Sequence, residues 1–217
     1  MTKALIVDLD GLLVDSEPLW RKVEIRLFRD LGVPLTDEMC RETMGIRVDE
    51  AVQHWYDRYP WQGPTVQEVL DQVVQGMIVA LRAEGKTMPG VEGLLALIKT
   101  QQWKAAIASS SPPEFIEAAV EQFGLRPYFP VLYSASLEEQ GKPHPGVFIT
   151  AAQKLGVPPT QCIVLEDSAN GVLAAKAAQM ACIAVPDPLV RQRREFCAAD
   201  LVLNSLEELT AEMLESL

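Results

Sequence analysis

The sequence predicts an α/β protein with a doubly wound parallel sheet and an inserted α-helical cap domain. Six short apolar segments recur along the 217 residues, and helical patterns separate them after the first. Their apolarity is continuous rather than alternating, which is typical of strands covered on both faces. One long interval, after the first strand, contains helical patterns only. The predicted strands lie at 4–7, 105–108, 131–133, 162–165, 181–185 and 201–203.

Proline and serine mark the starts of the helices that alternate with these strands. Prolines precede the first three helical patterns, and Ser168 precedes the fourth. Proline suits the first turn of a helix and serine suits the N-cap. Ligands bind at the carboxyl ends of the strands in such sheets, so functional residues are expected there. The predicted helices lie at 91–100, 114–123, 146–155 and 169–179.

The interval 15–83 is interpreted as the helical cap. It carries amphipathic patterns at 19–31, 48–59 and 66–81, with glycine and proline between them. Without it, residues 1–14 and 84–217 remain, which is a size typical of one domain. The sequence therefore predicts an α/β core at 1–14 and 84–217 and a cap at 15–83.

Two of the predicted strands end in paired acids. Asp8 and Asp10 follow the first strand, and Glu166 and Asp167 follow the fourth. Removing a carboxylate from water costs several kcal/mol unless a cation or hydrogen bonds compensate. Because Mg²⁺ prefers hard oxygen ligands, these four acids are predicted metal ligands, Asp167 directly and Glu166 directly or through a water. The alternatives are a polar turn at Asp8 and Asp10 and N-cap acids at Glu166 and Asp167.

Hydroxyls and an ammonium group complete the candidate site. Ser109, Ser110 and Ser111 follow the second strand, and Lys142 precedes a predicted helix. A carboxylate nucleophile would split phosphate ester hydrolysis into two easier steps, while hydroxyls, cations and backbone N–H groups stabilise the phosphoryl oxygens. The set predicts phosphoryl transfer through an aspartyl-phosphate. Helix capping is the alternative for Ser110 and Ser111, and an exposed loop lysine is the alternative for Lys142.

These motifs, in this order, resemble the four motifs of the haloacid dehalogenase superfamily. The resemblance covers the whole chain, and the segment 55–69 resembles the sugar-phosphate phosphatases of that superfamily. It implies a Rossmann-like core beneath a helical cap and a Mg²⁺-dependent phosphatase acting on hexose or hexitol 6-phosphates.

The resemblance also implies roles for the motif residues. Asp8 would be the nucleophile, and Asp10 would act first as general acid and then as general base. Ser109 and Ser110 would bind the phosphoryl group. Lys142 would bridge Asp8 and the phosphate as a point charge.

Substrate selectivity is expected from the cap. Glu17 is one candidate for contact with the substrate. Arg47 is another, since an arginine beside the loop glycine of Gly45-Ile46 suits recognition of a polar molecule. Aromatic residues at helical spacing are more often core than binding surface. The cap aromatics interpreted as packing residues are Trp20, Trp55, Tyr56, Tyr59 and Trp61.

Composition excludes several classes of function. A net charge of −11 argues against nucleic acid, since phosphate backbones are bound by clustered basic residues. The basic run 191–194 is interpreted as a solvated loop. No segment has the apolar length of a membrane span or the pattern of a signal peptide, and the four cysteines show no metal-ligand spacing. A cytoplasmic monomer or weak homo-oligomer, with a small phosphorylated sugar as substrate, is expected.

Two other classes of protein share these residue types. A hexose-phosphate mutase such as β-phosphoglucomutase would use the same motifs, but Trp20 occupies the position where the resembling mutases carry a histidine. A non-enzymatic phospho-acceptor module also combines an aspartate, an acid pair, a hydroxyl and a lysine, but such modules are shorter and have no helical insert of this size. Hydrolysis is the preferred interpretation.

Overall fold

The computed structural model describes residues 4–217, in which six parallel strands form one sheet. The strands are β1 (Ala4–Val7), β2 (Lys104–Ser109), β3 (Val131–Ser134), β4 (Cys162–Glu166), β5 (Ala181–Ala184) and β6 (Leu201–Val202). Their spatial order is β3-β2-β1-β4-β5-β6, and every neighbouring pair is parallel. The order reverses direction between β1 and β4, which is the topological switch point of a doubly wound sheet.

The helices divide into those of the insert and those that alternate with the strands. The insert contains α1 (Glu17–Asp30), α2 (Asp37–Cys40), α3 (Val48–Arg58) and α4 (Val66–Glu84). The remaining helices are α5 (Val91–Gln101), α6 (Pro113–Gln122), α7 (Gly146–Leu155), α8 (Ala169–Ala177) and α9 (Ala211–Glu215). The predicted α/β class with a parallel sheet is confirmed. The short helices α2 and α9 were not predicted.

Both faces of the sheet are buried, as continuous apolarity requires. Successive residues of a strand point to opposite faces, and β1 shows this directly. Leu5 and Val7 pack in one hydrophobic cluster, while Ala4 and Ile6 pack in the other. A solvent-facing side of the sheet would have placed polar residues at alternate positions.

Local capping explains where two important helices begin. The Ser168 hydroxyl accepts a hydrogen bond from the Gly171 backbone N–H at 3.0 Å, and this bond caps α8 immediately after the acids of β4. Thr65 and Glu68 form a reciprocal capping box at the start of α4. The first cap places the positive end of a helix next to Glu166.

The chain leaves and re-enters the sheet region through two paired segments. The Asp15 N–H donates to the Lys86 carbonyl at 2.9 Å, and the Met88 N–H donates to the Leu13 carbonyl at 3.1 Å. These bonds hold the two ends of the insert together beside the end of β1. The domain boundaries at 14/15 and 83/84 stay predictions, and α4 itself runs to Glu84.

The aromatic residues of the insert pack as their spacing predicts. Trp55 and Trp61 are buried, and the Trp61 ring meets Phe28 edge to face with centroids 5.6 Å apart. Tyr56 and Tyr59 pack against the same cluster from partly buried positions. None of the helices in residues 4–217 is both long and apolar enough to cross a bilayer.

Candidate active site

The predicted site residues converge at the carboxyl ends of three adjacent strands. Asp8 directly follows β1, Ser109 ends β2 and Glu166 ends β4. Since β1 lies between β2 and β4, the three side chains meet at the switch point of the sheet. This crevice is where open α/β sheets bind ligands.

Lys142 connects the acids of two strands. Its Nζ lies 2.5 Å from Asp8 Oδ1 and 2.8 Å from Glu166 Oε1, and its side chain is only 1% exposed. Burial by itself would lower the pKa of Lys142, but the Asp8 and Glu166 carboxylates raise it above its usual value. The ammonium group therefore stays charged. The alternative of an exposed loop lysine is wrong.

Three buried carboxylates surround this single cation. One ligand oxygen each of Asp8, Glu166 and Asp167 lies within 4.8 Å of the other two. Burial raises the pKa of Asp8 well above its usual range, although the Lys142 charge opposes this shift. The pKa of Asp167 is also raised well above its usual range, mainly by burial and next by the Glu166 carboxylate. When all three acids are ionised, two negative charges remain uncompensated. A divalent cation is the complement that this donor set fits.

Two glycines leave room for the carboxylates of Glu166 and Asp167. A β-carbon at Gly171 would overlap the Glu166 carboxylate, and one at Gly11, where φ is +69°, would overlap Asp167. The backbone of the turn at Gly11 and of α8 at Gly171 can approach the acids only because both residues lack a side chain. Glu166 is further held by the Asp167 N–H at 3.0 Å and the Ser168 hydroxyl at 3.1 Å.

Asp10 lies outside this carboxylate group. Its Oδ1 accepts hydrogen bonds from Ser16 Oγ at 2.7 Å and Trp20 Nε1 at 2.8 Å. Its Oδ2 accepts from Ser109 Oγ at 3.1 Å and Ser111 Oγ at 2.7 Å. The structure therefore brings together three of the four predicted metal ligands, Asp8, Glu166 and Asp167. The Asp10 side chain has a different environment, in which both of its oxygens accept hydrogen bonds.

The three serines after β2 have different partners. Ser109 and Ser111 both donate to Asp10, whereas the Ser110 hydroxyl donates to the Gly45 carbonyl of the insert at 3.0 Å. Ser110, predicted to bind substrate, thus joins the insert to the core. Ser111, for which helix capping was the alternative, donates a hydrogen bond to Asp10, the predicted acid/base residue. Its position two residues beyond the strand end was the only sequence signal for this contact.

Trp20 forms a hydrogen bond in addition to the packing contact that was predicted for it. Its ring packs on Phe115 with centroids 5.2 Å apart, and its indole N–H donates to Asp10. An amphipathic aromatic residue can satisfy both demands, since its body is apolar and its nitrogen is a donor. The insert therefore contacts the Asp10 carboxylate directly.

Glu17, a predicted substrate contact, lies at the start of α1 and lines the same cavity as Asp8 and Asp10. Arg21 lies 3.6 Å away on the next helical turn. Burial, with a further contribution from Asp10, raises the pKa of Glu17 to about 8. The structure places Glu17 in the wall of this cavity, and its contact with a substrate stays a prediction.

Arg47, the other predicted substrate contact, does not line this cavity. Its Nη1 donates to the Glu138 carbonyl of the core at 2.9 Å, and its Nε donates to Asp49 at 3.0 Å. Glu50 lies 3.5 Å from the same nitrogen. These acids draw the guanidinium to the junction of insert and core. Contact of Arg47 with the sugar stays a prediction, and in this structure the donors of Arg47 are engaged at this junction.

The cavity lies between the insert and the carboxyl ends of the strands. It has a volume of about 60 Å³, well below the roughly 300 to 1,000 Å³ of small-molecule pockets. Residues of α1 and of the segment 43–48 form its outer wall. The predicted site residues at the ends of the strands, together with Lys142, form its floor. A ligand of ordinary small-molecule size would therefore need the insert to move away from the core, as lids commonly do.

Glu24 is a buried acid of this outer wall that sequence reasoning missed. Burial raises its pKa to about 7, opposed by the Cys40 thiol and by Arg21. An acid whose pKa is higher in the folded state keeps its proton longer there than in the unfolded chain. The contribution of Glu24 to the free energy of unfolding therefore falls as pH rises from about 4.5 to 7.

The Glu24→Gln variant is expected to reverse this loss. Its free energy of unfolding should match that of the wild type near pH 4.5 and exceed it at pH 8 by on the order of 3 kcal/mol, because the amide has no charge to bury. Urea unfolding of both proteins at a series of pH values measures the difference. A constant offset at all pH values would contradict the assignment to Glu24.

The fold and this set of residues define a hydrolase family. A sequence model of the haloacid dehalogenase-like hydrolases matches residues 2–179, and the chain belongs to that family. Hexitol phosphatase B of Escherichia coli strain K12 is 43% identical to it over 210 residues, which cover 96% of this chain and 95% of that protein. The resemblance found in the sequence is confirmed.

Solved structures share the whole fold. CbbY from Rhodobacter sphaeroides, in complex with phosphate, has a TM-score of 0.88 at 30% identity and covers 100% of both chains. A mutant of CbbY with xylulose-(1,5)bisphosphate has a TM-score of 0.85, again at 30% identity, and covers 96% of both chains. The β-phosphoglucomutase of Clostridium difficile has a TM-score of 0.86 with 100% and 96% coverage, but at 22% identity it shows the fold alone.

Proposed function

We propose that this chain is a Mg²⁺-dependent phosphatase that hydrolyses hexose or hexitol 6-phosphates through an aspartyl-phosphate intermediate. The observation that supports it most is the contact of Lys142 with both Asp8 and Glu166 on the floor of a cavity closed by the insert. The 43% identity to hexitol phosphatase B supports the choice of substrate class.

In the first step an Asp8 carboxylate oxygen bonds to phosphorus, and the bond from phosphorus to the sugar oxygen breaks. Lys142 Nζ, 2.5 Å from Asp8 Oδ1, stabilises negative charge on the phosphoryl oxygens and holds the nucleophile in place. Protonated Asp10 gives its proton to the leaving sugar oxygen, which departs as an alcohol.

The second step regenerates Asp8. Asp10, now a carboxylate, takes a proton from a water whose oxygen bonds to phosphorus, and the bond from phosphorus to the Asp8 oxygen breaks. Ser16 and Trp20 hold one oxygen of Asp10, and the hydroxyls of Ser109 and Ser111, which donate to the other oxygen in this structure, turn away when that oxygen carries the proton. The Trp20 contact comes from the insert, so closure of the insert completes the environment of the acid/base residue.

The carboxylates of Asp8, Glu166 and Asp167 would hold the Mg²⁺ ion. Bound Mg²⁺ would supply positive charge to the phosphoryl oxygens. Their burial, their hard oxygen atoms and their two uncompensated negative charges fit such an ion.

Metal removal tests this proposal directly. Phosphate release from hexitol 6-phosphates should stop in EDTA and return with Mg²⁺, and Asp167→Asn should raise the Mg²⁺ concentration needed for half-maximal rate by about 10- to 100-fold. Asp187→Asn, an acid outside the carboxylate group, is the control. Full activity in EDTA, or an unchanged Mg²⁺ requirement in the Asp167 variant, would rule out this metal site.

The contact between Trp20 and Asp10 favours hydrolysis over a mutase reaction. A mutase must move protons on the sugar and needs a cap residue that both gives and accepts a proton. An indole nitrogen is a donor only. Trp20 can therefore orient Asp10 but cannot act as an acid/base partner.

A further inference from the structure

One face of α1 presents several polar side chains to the cavity. Glu17, Trp20, Arg21 and Glu24 are spaced at three to four residues, so that they share a helix face, and all four line the cavity. Trp20 contacts Asp10 and so marks the reacting end. Glu24 lies one helical turn beyond it, where the part of the substrate distant from phosphorus would lie.

The Glu24 carboxylate has unused hydrogen-bonding capacity. It is 8% exposed, and the Cys40 thiol is its side-chain hydrogen-bond partner. A thiol is a weak donor, whereas an ionised carboxylate offers about four acceptor positions. Arg21, the nearest cation to act on Glu24, lies against Glu17 at 3.6 Å. The carboxylate can therefore accept further hydrogen bonds from a molecule in the cavity.

The stability of the folded protein does not explain why an acid occupies position 24. The raised pKa of Glu24 means that its ionised form destabilises the folded protein near neutral pH. An apolar residue or a glutamine would fill the same space without that cost. Groups that lower stability and line a cleft are typical of functional sites.

Among the described residues, the outer wall of the cavity carries a single cation, Arg21. Arg21 pairs with Glu17, and Lys142 pairs with Asp8 and Glu166 on the floor. The remaining wall is apolar or weakly polar. Its other residues include Met44, Ile46, Val48 and Ala51.

We propose that Glu24 determines specificity by accepting hydrogen bonds from the hydroxyl groups of an uncharged polyol, and that ionised Glu24 rejects a second phosphate at the far end of the substrate. This inference rests on the proposed function and deepens it. The substrate class becomes the monophosphate ester of a neutral polyol, and bisphosphates are excluded.

Two ligands that differ only at their far end test the inference. Binding of glucitol 6-phosphate and glucitol 1,6-bisphosphate is measured by calorimetry on the Asp8→Asn protein with Mg²⁺ present, so that no turnover is needed. The monophosphate is expected to bind at least about 100-fold more tightly, since like charges brought together cost several kcal/mol. Equal binding, or tighter binding of the bisphosphate, overturns the inference.

Glu24→Gln in the Asp8→Asn background assigns the effect to one residue. The preference for the monophosphate should fall by about tenfold or more, because a hydrogen bond to a charged acceptor is lost and the repulsion of the second phosphate is relieved. Glu84→Gln, which removes an exposed acid of α4 that pairs with Lys22 on α1, should leave the preference unchanged. A Glu24 variant with the wild-type preference overturns the role of Glu24.

Kinetics separate this inference from the proposed function. In the otherwise wild-type enzyme, Glu24→Gln should lower kcat/KM for glucitol 6-phosphate about tenfold more than for p-nitrophenyl phosphate, which has no hydroxyls to bind. Equal losses on both substrates overturn the inference while phosphatase activity stands. Selective binding without any phosphate release would instead overturn the proposed function alone.

Discussion

Asp8→Asn is expected to abolish turnover while leaving the protein folded. An amide cannot attack phosphorus, so phosphate release should fall by more than about 10⁴-fold, the scale seen when a catalytic nucleophile is removed. The variant also loses one of three buried carboxylates that face a single ammonium group. Its free energy of unfolding in EDTA at pH 8 should therefore be at least that of the wild type.

Two measurements make this prediction specific. Rapid acid quenching of the wild type during turnover should trap a protein carrying one phosphoryl group, which hydroxylamine removes, and the variant should carry none. Asp71→Asn changes an exposed residue of α4 that accepts from Gln67, and it should behave as the wild type. Steady-state hydrolysis by a variant shown by mass spectrometry to be free of deamidation would refute the nucleophile assignment.

Lys142→Met is expected to damage both activity and stability. The methionine fills similar space but leaves Asp8 and Glu166 without their ammonium partner. Removing one member of a buried ion pair costs about 3 to 5 kcal/mol, because the remaining charge stays in a poorly solvated site. The rate should fall by at least about 10²- to 10³-fold, since a positive charge beside the phosphoryl oxygens is lost.

A surface pair gives the matched control. Lys176→Met breaks an ion pair with Asp200 whose side chains are about one-third exposed, so its cost should stay below about 1 kcal/mol. Chemical unfolding in EDTA and in Mg²⁺ measures both variants. Mg²⁺ should narrow the stability gap between Lys142→Met and the wild type, because it neutralises the same carboxylates. A gap that is unchanged by Mg²⁺ would show that the ion binds elsewhere.

The strands and main helices were predictable because burial on both faces leaves a direct mark on the sequence. The six apolar segments match β1 to β6 to within one or two residues at each end. The helices of four residues at Asp37–Cys40 and five residues at Ala211–Glu215 escaped prediction, since they are too short to show a helical period.

The reacting residues were predictable for a related reason. Asp8, Ser109 and Glu166 follow or end apolar segments, and parallel strands bring their carboxyl ends to one edge. Lys142 follows no strand directly. Its place was predicted from the order of the motifs, and the ion pairs with Asp8 and Glu166 agree with that placement.

The residues predicted or proposed to contact the sugar could not be identified from the sequence in the same way. Arg47 looked like a substrate contact, but Asp49 and the Glu138 carbonyl hold it at the junction of insert and core. Glu24 was not singled out in the sequence, yet it is buried beside the cavity, with Cys40 and Arg21 of the insert as its partners. The position of Arg47 depends on how the insert sits over the core, and the environment of Glu24 depends on packing among the helices of the insert.

The parallel sheet, the helical insert and the candidate acids, serine and lysine are readable from the sequence, because these features depend on neighbours along the chain and on the common edge of parallel strands. The partners of Asp10, the position of Arg47 and the burial of Glu24 are visible only in the folded protein. Those contacts join side chains that are distant along the chain, across the junction of insert and core for Asp10 and Arg47 and between helices of the insert for Glu24. Their geometry is set by long-range packing, and no spacing along the chain records it.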